Sequence, residues 1–285
     1  MRLSIILPAY NEAQIVSQVV TDIQQRYADV DNVEILVIDD GSTDATGEAA
    51  AAAGARVIRH PYNKGNGAAV KTGIRAAQGD ILVMMDADGQ HDPMDIERLV
   101  APIGEYDMVV GARQGTDQQW HRRLANTLYN LLASYLAGFP VCDLTSGFRA
   151  VRKDLALGFC YLLPNTFSYP TTLTLAVIKA GYSLKYEPIR VERRIGNSKI
   201  RLLRDGVRFL LIMIKIITLF SPLKVFLPVG LGVFLPGFFY AIYKLIIHRP
   251  WTLPIVISVS VGTLIVMLGL ISEQIALLRM GQIDR

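Results

Sequence analysis

Ile81 to Pro93 reads ILVMMDADGQHDP. Its apolar half, Ile81–Met85, is long enough for a buried strand and too short to form a helix of its own. It gives way at once to Asp86-Ala87-Asp88, followed by Gly89 and Gln90. Asp is a poor strand former, and an unpaired buried carboxylate is costly. Two carboxylates one residue apart at the end of a strand therefore call for a counter-charge, and no Lys or Arg lies close by in sequence. Hard oxygen donors suit Mg²⁺ or Mn²⁺, and Mg²⁺ usually shares its coordination shell with substrate phosphates. The pattern points to a divalent ion bound by Asp88, with Asp86 and Gln90 assisting, that holds a diphosphate. The same residues would also make a polar turn in which Asp86 or Asp88 caps the helix starting near Pro93. His91 reads as a loop residue, because Mg²⁺ prefers oxygen.

The neighbouring segments repeat this design. Leu3–Leu7 is a short apolar strand that ends in Pro8-Ala9-Tyr10-Asn11-Glu12, and Val33–Ile38 ends in Asp39-Asp40-Gly41-Ser42. Ala55–Arg59 is a third strand, and Met108–Gly111 a fifth that runs towards Arg113. Between them lie helices: a stripe at Ile15, Val16, Val19, Val20 and Ile23, an Ala-rich segment that Ser42 or Thr43 can cap, and Ala68–Ala77. A further helix begins at Pro93, with Asp92 as its cap. Strands alternating with helices imply βαβ units and a mostly parallel sheet, the α/β class. In such sheets ligands sit beyond the carboxyl ends of the strands. Four strand ends here carry chemically capable residues, a stronger signal than a lone D-x-D, although surface loops are polar in general. The Gly65–Gly67 stretch lets backbone approach a ligand closely, ahead of a helix N-terminus that favours anions; it would also serve as a plain surface turn.

The 285 residues allow one sizeable domain plus an appendage, and 51% of them are hydrophobic. The apolar excess gathers after about Arg208. Lys and Arg number 29 against 25 Asp and Glu, an excess too small to argue for nucleic acid. Cys142 and Cys160 make neither a disulfide framework nor a zinc spacing, which fits a reducing compartment. Leu3–Leu7 is too short for a signal-peptide core and runs into Pro8, so the catalytic part is expected to stay in the cytosol.

The order PAYNE (Pro8–Glu12), VIDDGSTD (Val37–Asp44), NKGNGAAVKTG (Asn63–Gly73) and DADGQHDP (Asp86–Pro93) resembles family 2 of the inverting glycosyltransferases, whose fold is GT-A. DLTSGFRAV (Asp143–Val151) and RRIGNSK (Arg193–Lys199) resemble the subgroup that includes dolichol-phosphate mannose synthase and bacterial polyprenyl-phosphate glycosyltransferases. The resemblance implies a nucleotide diphosphate sugar as donor, a divalent metal and a polyprenyl phosphate as acceptor. It puts Pro8, Tyr10, Glu12 and Asp39 around the nucleotide, with Lys64 and Asp86 also on the donor side, and Asp86, Asp88 and Gln90 at the metal. Carboxylates can accept from ribose hydroxyls or base N–H groups, and Tyr10 offers a stacking face. Glu12 also suits a helix N-terminus. Arg113, Ser146, Arg149, Arg193 and Lys199 are the candidates for the acceptor phosphate, since guanidinium forks fit phosphate oxygens. Asp88, Asp143 and Arg193 are expected to carry the reaction itself, Asp143 by positioning the acceptor.

Gln118 to Gly138 has Leu124, Leu128, Leu131, Leu132 and Tyr135 at helical spacing, as core or as one wall of an acceptor groove. Thr172–Lys179 is a further helix and Ser183–Glu187 a strand. Lys199–Phe220 mixes Arg201, Arg204, Arg208 and Lys215 among Leu, Ile and Phe, the pattern of a helix lying in a membrane interface, or of a buried core helix. Val225–Ile247 and Leu253–Leu278 each exceed the roughly 20 residues that cross a bilayer. The short linker His248-Arg249-Pro250-Trp251 makes them a hairpin, Pro228 and Pro236 predict bending, and Trp251 suits an interface. Basic residues before Val225, with Arg279 and Arg285 after the second span, favour cytosolic ends.

The expected organisation is thus a GT-A domain over residues 1–198, an interfacial helix over 199–220 and a transmembrane hairpin over 221–285. The expected setting is the cell membrane, multi-pass, with the catalytic domain cytosolic, and a homo-oligomer remains open. Two rivals stand beside this reading. A processive polysaccharide synthase would carry Q-x-x-R-W, which the sequence lacks. A non-catalytic nucleotide-sugar-binding scaffold would be expected to lose its acidic ligands first, and Asp86 and Asp88 are both present.

Overall fold

The computed structural model describes residues 2–28, 30, 32–113, 127, 130–131, 133–135, 138–165, 168–190 and 221–280. The chain forms two compact units, residues 1–199 and 200–285. In the first, seven strands make one sheet: β1 (Leu3–Ala9), β2 (Val33–Asp39), β3 (Arg56–Arg59), β4 (Ile81–Met84), β5 (Met108–Arg113), β6 (Arg149–Arg152) and β7 (Leu184–Ile189). Their order across the sheet is β3-β2-β1-β4-β6-β5-β7. The intervening helices are α1 (Val16–Arg26), α2 (Thr46–Ala52), α3 (Asn66–Ala76), α4 (Met94–Val100), α5 (Lys153–Phe159) and α6 (Tyr169–Lys179).

Every residue of β1 is buried, as a central parallel strand covered on both faces requires. Helix α1 buries Val16, Val19, Val20 and Ile23, the stripe its sequence spacing predicts. Helix α3 lies close on β1: a methyl group added at Gly73 would stand 2.3 Å from Ile6 Cγ2. The parallel register pairs Ala9 with Asp39 and Ile6 with Met84, so β1, β2 and β4 deliver their following loops to one edge.

Strand β6 is the departure from the expected pattern. Asp143–Arg149 reads as a donor-rich loop, but its last residue opens a strand antiparallel to both β4 and β5. Four residues, only two of them apolar, are too few to signal a strand locally; the strand exists because two neighbours flank it. Reversal places its first residue at the ligand edge: Arg149 pairs with Met84 on one side and Val110 on the other. Helix α5 was not foreseen either. Ser42 and Thr43 do not cap α2, which begins at Thr46 behind Ala45; both are engaged by the loop after β1. Of the expected helix over 118–138, residues 127, 130, 131 and 133–135 are helical. Gly138 is a turn whose N–H donates to the Ser134 carbonyl at 2.8 Å; the other positions, together with the interfacial helix, Arg193 and Lys199, lie outside the described residues.

The second unit contains α7 (Leu223–Ile246) and α8 (Leu253–Met280). Both are long and apolar enough to cross a membrane, and most of their side chains are exposed. Helices that meet in lipid lack a hydrophobic driving force, and close packing over small residues is what would hold such a pair together. The sequence supplies it at seven-residue spacing, Gly230 and Gly237 on α7, Gly262 and Gly269 on α8. An added Cβ would come within 2.6 Å of Val266 at Gly230, 2.6 Å of Phe234 at Gly262 and 2.6 Å of Phe226 at Gly269. Glu273, the acidic residue of α8, accepts from the Leu223 N–H at 3.1 Å. A carboxylate at the start of α7 is favoured by the exposed N–H groups there.

Candidate active site

The loops after β1 and β2 are stapled to each other. Asn11, at φ 57°, accepts from the Thr43 N–H at 2.9 Å. Its own N–H donates to Ser42 Oγ at 3.0 Å. The Glu12 N–H donates to Thr46 Oγ1 at 2.9 Å, and the Ala13 N–H to Asp44 at 3.3 Å. Asn and Asp tolerate left-handed backbone better than other non-glycine residues, so the PAYNE and DDGSTD motifs describe one interlocked platform.

A cavity of about 410 Å³ opens above it, lined by Pro8, Tyr10, Glu12 and Asp40 from these loops and by Asp86 and Asp88 from the end of β4. The start of α3 closes one side through Gly65, Asn66 and Ala69. Gly65 takes φ 101°, a conformation that favours glycine. Asp40 fixes that turn: its Oδ1 accepts from the Lys64 N–H at 3.0 Å and its Oδ2 from the Gly65 N–H at 2.8 Å.

Most of the expected donor residues therefore lie around one cavity. Pro8, Tyr10, Glu12 and Asp86 line the cavity, and Lys64 neighbours the Asn63 and Gly65 of its wall. Asp39 does not line it. That side chain is fully buried, accepts from the Ser42 N–H at 2.8 Å and lies 3.3 Å from Arg59 Nε. Its neighbour Asp40 takes the place at the wall, because alternation along a strand sends consecutive side chains to opposite sides. Asn63, Asn66 and Ala69 were not singled out in the sequence; the NKGNGAA motif contained them, but only the close approach of α3 makes them wall.

Asp86 and Asp88 are both half-buried, and the Gln90 N–H donates to Asp88 Oδ1 at 3.2 Å. Oxygen donors at both positions fit a hard divalent cation. No group of three or more His, Cys, Asp or Glu gathers as a metal cluster among the described residues, so a cation here would need further oxygens from a ligand or water, as Mg²⁺ commonly does. His91 packs on Phe148 with ring centroids 4.8 Å apart. Burial pushes its imidazole below the ordinary value, against the opposing pull of Asp86 and Asp88.

On the other flank, Arg113 at the end of β5 closes a fork on Asp143, Nε to Oδ2 at 2.7 Å and the terminal nitrogen to Oδ1 at 2.9 Å. Those bonds raise the Arg113 guanidinium. Burial works to raise the Asp143 carboxyl, but the bonds from Arg113 outweigh it and hold the carboxyl below its usual range. Arg149 is fully buried and donates to the Pro170 carbonyl at 2.9 Å, to Thr174 Oγ1 at 3.1 Å and to the Ser146 carbonyl. Arg149 Nε and Ser146 Oγ have no hydrogen-bond partner among the described residues. Burial lowers the Arg149 guanidinium and raises the Tyr169 and Tyr186 hydroxyls. This group reaches Asp86 through Gly147, where an added Cβ would lie 3.1 Å from Asp86 Oδ2 and 3.4 Å from Tyr169 Oη. Of the expected acceptor residues, then, Arg113, Ser146 and Arg149 converge with Asp143, the last two from beneath the surface.

A mostly parallel sheet with a carboxylate-lined cavity at its carboxyl edge has the GT-A arrangement. The chain belongs to glycosyl transferase family 2, whose family model matches residues 4–157; residues 221–278 match the GtrB C-terminal hairpin. Among curated relatives, glycosyltransferase AglJ of Haloferax volcanii is 28% identical, over 99% of this chain and 96% of its own. The undecaprenyl-phosphate 4-deoxy-4-formamido-L-arabinose transferase of Serratia proteamaculans is 28% identical, over 96% of this chain and 88% of its own. Among solved structures, the glucosyl-3-phosphoglycerate synthase of Mycobacterium tuberculosis in complex with Mn²⁺ and UDP-glucose is 27% identical with a TM-score of 0.59, covering 74% of this chain and 78% of its own.

Proposed function

We propose that the protein is a membrane-attached, metal-dependent inverting glycosyltransferase that moves one sugar from a nucleotide diphosphate sugar to a polyprenyl phosphate at the cytosolic face. The observation that carries this reading is the pairing, in one chain, of a carboxylate-lined cavity at the sheet edge with two helices able to cross a membrane. The Serratia relative's name specifies an undecaprenyl phosphate acceptor, and the mycobacterial structure holds Mn²⁺ with UDP-glucose. Residues 1–198 would be the catalytic domain, 199–220 an interfacial helix and 221–285 a two-span hairpin with both ends cytosolic.

In this proposal Asp86, Asp88 and Gln90 hold Mg²⁺ or Mn²⁺, which when bound neutralises the leaving diphosphate. Pro8, Tyr10, Glu12 and Lys64 hold the nucleotide, and Asp40 takes the wall position expected of Asp39. A phosphate monoester has its second pKa near 6, so the acceptor is largely anionic at neutral pH. Its oxygen bonds to the anomeric carbon while the carbon–oxygen bond to the diphosphate breaks, the electron pair leaving with the nucleotide. No strong general base is needed, and the protein's task is alignment. Arg113, Arg193 and Lys199 supply cations for the acceptor phosphate; Asp143 orients Arg113. Arg149 supports the Ser146–Gly147 turn from below.

The test is transfer of labelled sugar by the purified full chain, with UDP-glucose, UDP-N-acetylglucosamine and GDP-mannose each offered with undecaprenyl or dolichyl phosphate. Transfer with at least one pair, lost in EDTA and restored by Mn²⁺ or Mg²⁺, is expected. Full transfer in excess chelator would remove the metal, and attachment to a free sugar rather than to the lipid would remove the acceptor class.

A further inference from the structure

His60 sits at the end of the β3 segment, 5% exposed. Its Nδ1 is 2.7 Å from Asp40 Oδ1 and its Nε2 is 2.9 Å from Thr72 Oγ1 on α3. Both Asp40 oxygens already act as acceptors, towards the Lys64 and Gly65 N–H groups, so His60 Nδ1 carries the hydrogen on that side. The Thr72 hydroxyl can donate or accept; it satisfies Nε2 in either form. The His60 N–H also donates to the Asp39 carbonyl at 2.8 Å, which locks the backbone from which the ring projects. One imidazole thus ties a wall residue of the cavity to the helix that forms the opposite wall.

We propose that His60 is a positioning residue for donor binding. Together with Thr72 it fixes the Asp40 carboxylate, and through it the Lys64–Gly65 turn and the first turn of α3, in the arrangement that receives the nucleotide. The proposal rests on the donor-site reading above. The ring touches no cavity-facing ligand position itself; it acts through Asp40. A histidine that merely filled core space would place no such demand on which nitrogen is kept.

That difference gives the test. In His60→Asn the side-chain amide can replace Nδ1 as donor to Asp40. In His60→Gln the amide falls nearer the Nε2 position and the bond to Asp40 is lost. Full-chain protein in detergent is titrated with UDP and GDP in the presence of Mn²⁺, and amide hydrogen exchange is followed over residues 63–69. His60→Gln should weaken nucleotide binding about tenfold, the loss expected for a bond to a charged group. It should also speed exchange at 63–69, raising the KM for the sugar donor while leaving kcat and the KM for the lipid phosphate near wild type. His60→Asn should recover most of the affinity and the protection. Thr72→Val should give a smaller effect in the same direction. Equal behaviour of the Asn and Gln variants, or a uniform fall in kcat with unchanged donor KM, would overturn the proposal. Wild-type protein that bound neither nucleotide would sink the donor reading, while the exchange contrast between Asn and Gln would still uphold or refute the hold of His60 on the turn.

Discussion

Asp40 and Arg149 are both charged, both buried and both at the ligand edge of one sheet, yet their surroundings follow opposite plans. Asp40 receives two backbone N–H groups and an imidazole, and the loops around it are cross-tied by Asn11, Ser42, Thr43, Asp44 and Thr46. Across the edge, Asp143 accepts from the Ser146 N–H at 3.1 Å and Tyr169 Oη donates to the Gly147 carbonyl at 3.5 Å, but Arg149 is the buried charge behind the turn, and unpartnered polar atoms remain on Arg149 and Ser146 among the described residues. The donor half of the edge is redundant: many short bonds, each replaceable. The other half is tied by the Arg113–Asp143 fork and backed from below by one guanidinium whose burial works against its charge. The contrast predicts where single substitutions do damage.

The largest effect falls on the seam between the halves. Asp88→Asn keeps the shape and removes the charge that a cation would need. Transfer should drop by more than the roughly 100-fold that outer-shell changes reach at metal sites, and binding of Mn²⁺, followed by its paramagnetic resonance signal, should weaken in parallel. Unaltered Mn²⁺ binding would place the cation elsewhere and dissolve the seam.

Next comes Arg149→Met, which fills similar volume but leaves the Ser146 carbonyl without the guanidinium donor. A buried polar group stripped of its partner costs about 1–3 kcal/mol, so the melting temperature of the full chain should fall clearly. Arg149→Lys should recover only part, since an ammonium cannot span all three acceptors in the guanidinium's plane. A Met variant as stable as wild type would mean that the second half is as redundant as the first.

Asp143→Asn tests the same half through pH. The folded-state carboxyl is held below its unfolded value of about 3.9 by the Arg113 fork. Its contribution is complete above that value and is lost as pH falls through the folded one. The stability gap between wild type and Asp143→Asn should be constant from neutral pH to about pH 5 and close below about pH 4. Arg113 is 31% exposed, so the gap belongs near the lower end of the roughly 1.5–3 kcal/mol typical of charge-assisted bonds. A gap unchanged at low pH would point to packing and not to charge.

The same contrast explains what was legible in the sequence. The donor half is built from contiguous motifs in which the strand, its terminal carboxylates and the following glycine stand side by side, so periodicity and turn chemistry expose both fold and site. Even there, that Asp40 and not Asp39 lines the cavity depends on the pleat, which is set only once the register with β1 is known. The other half is assembled from distant pieces. Arg149 reads as a phosphate ligand because a guanidinium fork fits phosphate oxygens. Its burial follows from β6 running antiparallel between β4 and β5, a pairing that four residues cannot announce. The hairpin was legible from length and hydropathy, but the seven-residue glycine spacing acquires meaning only with Phe226, Phe234 and Val266 opposite it.

The smallest effect is expected where the ties are densest. Asn11→Gly removes the side-chain oxygen that accepts from the Thr43 N–H, yet it leaves the Asn11 N–H on Ser42 Oγ and the Glu12 N–H on Thr46 Oγ1 in place. Glycine also adopts φ 57° without the steric penalty that a side chain meets, which offsets part of the lost bond. The larger backbone freedom of glycine in the unfolded chain costs about 0.4–1 kcal/mol. The net change in stability should stay within about 1 kcal/mol, and donor KM should move no more than a few-fold. Asn11→Ala separates the two contributions, because it loses the same oxygen and keeps a Cβ in the left-handed region. It should be the less stable of the pair. If instead Asn11→Gly damaged donor binding as severely as Arg149→Met damages the fold, the platform would hang on a single tie, and the distinction between a half cross-tied by neutral bonds and one backed by a single buried charge would fail.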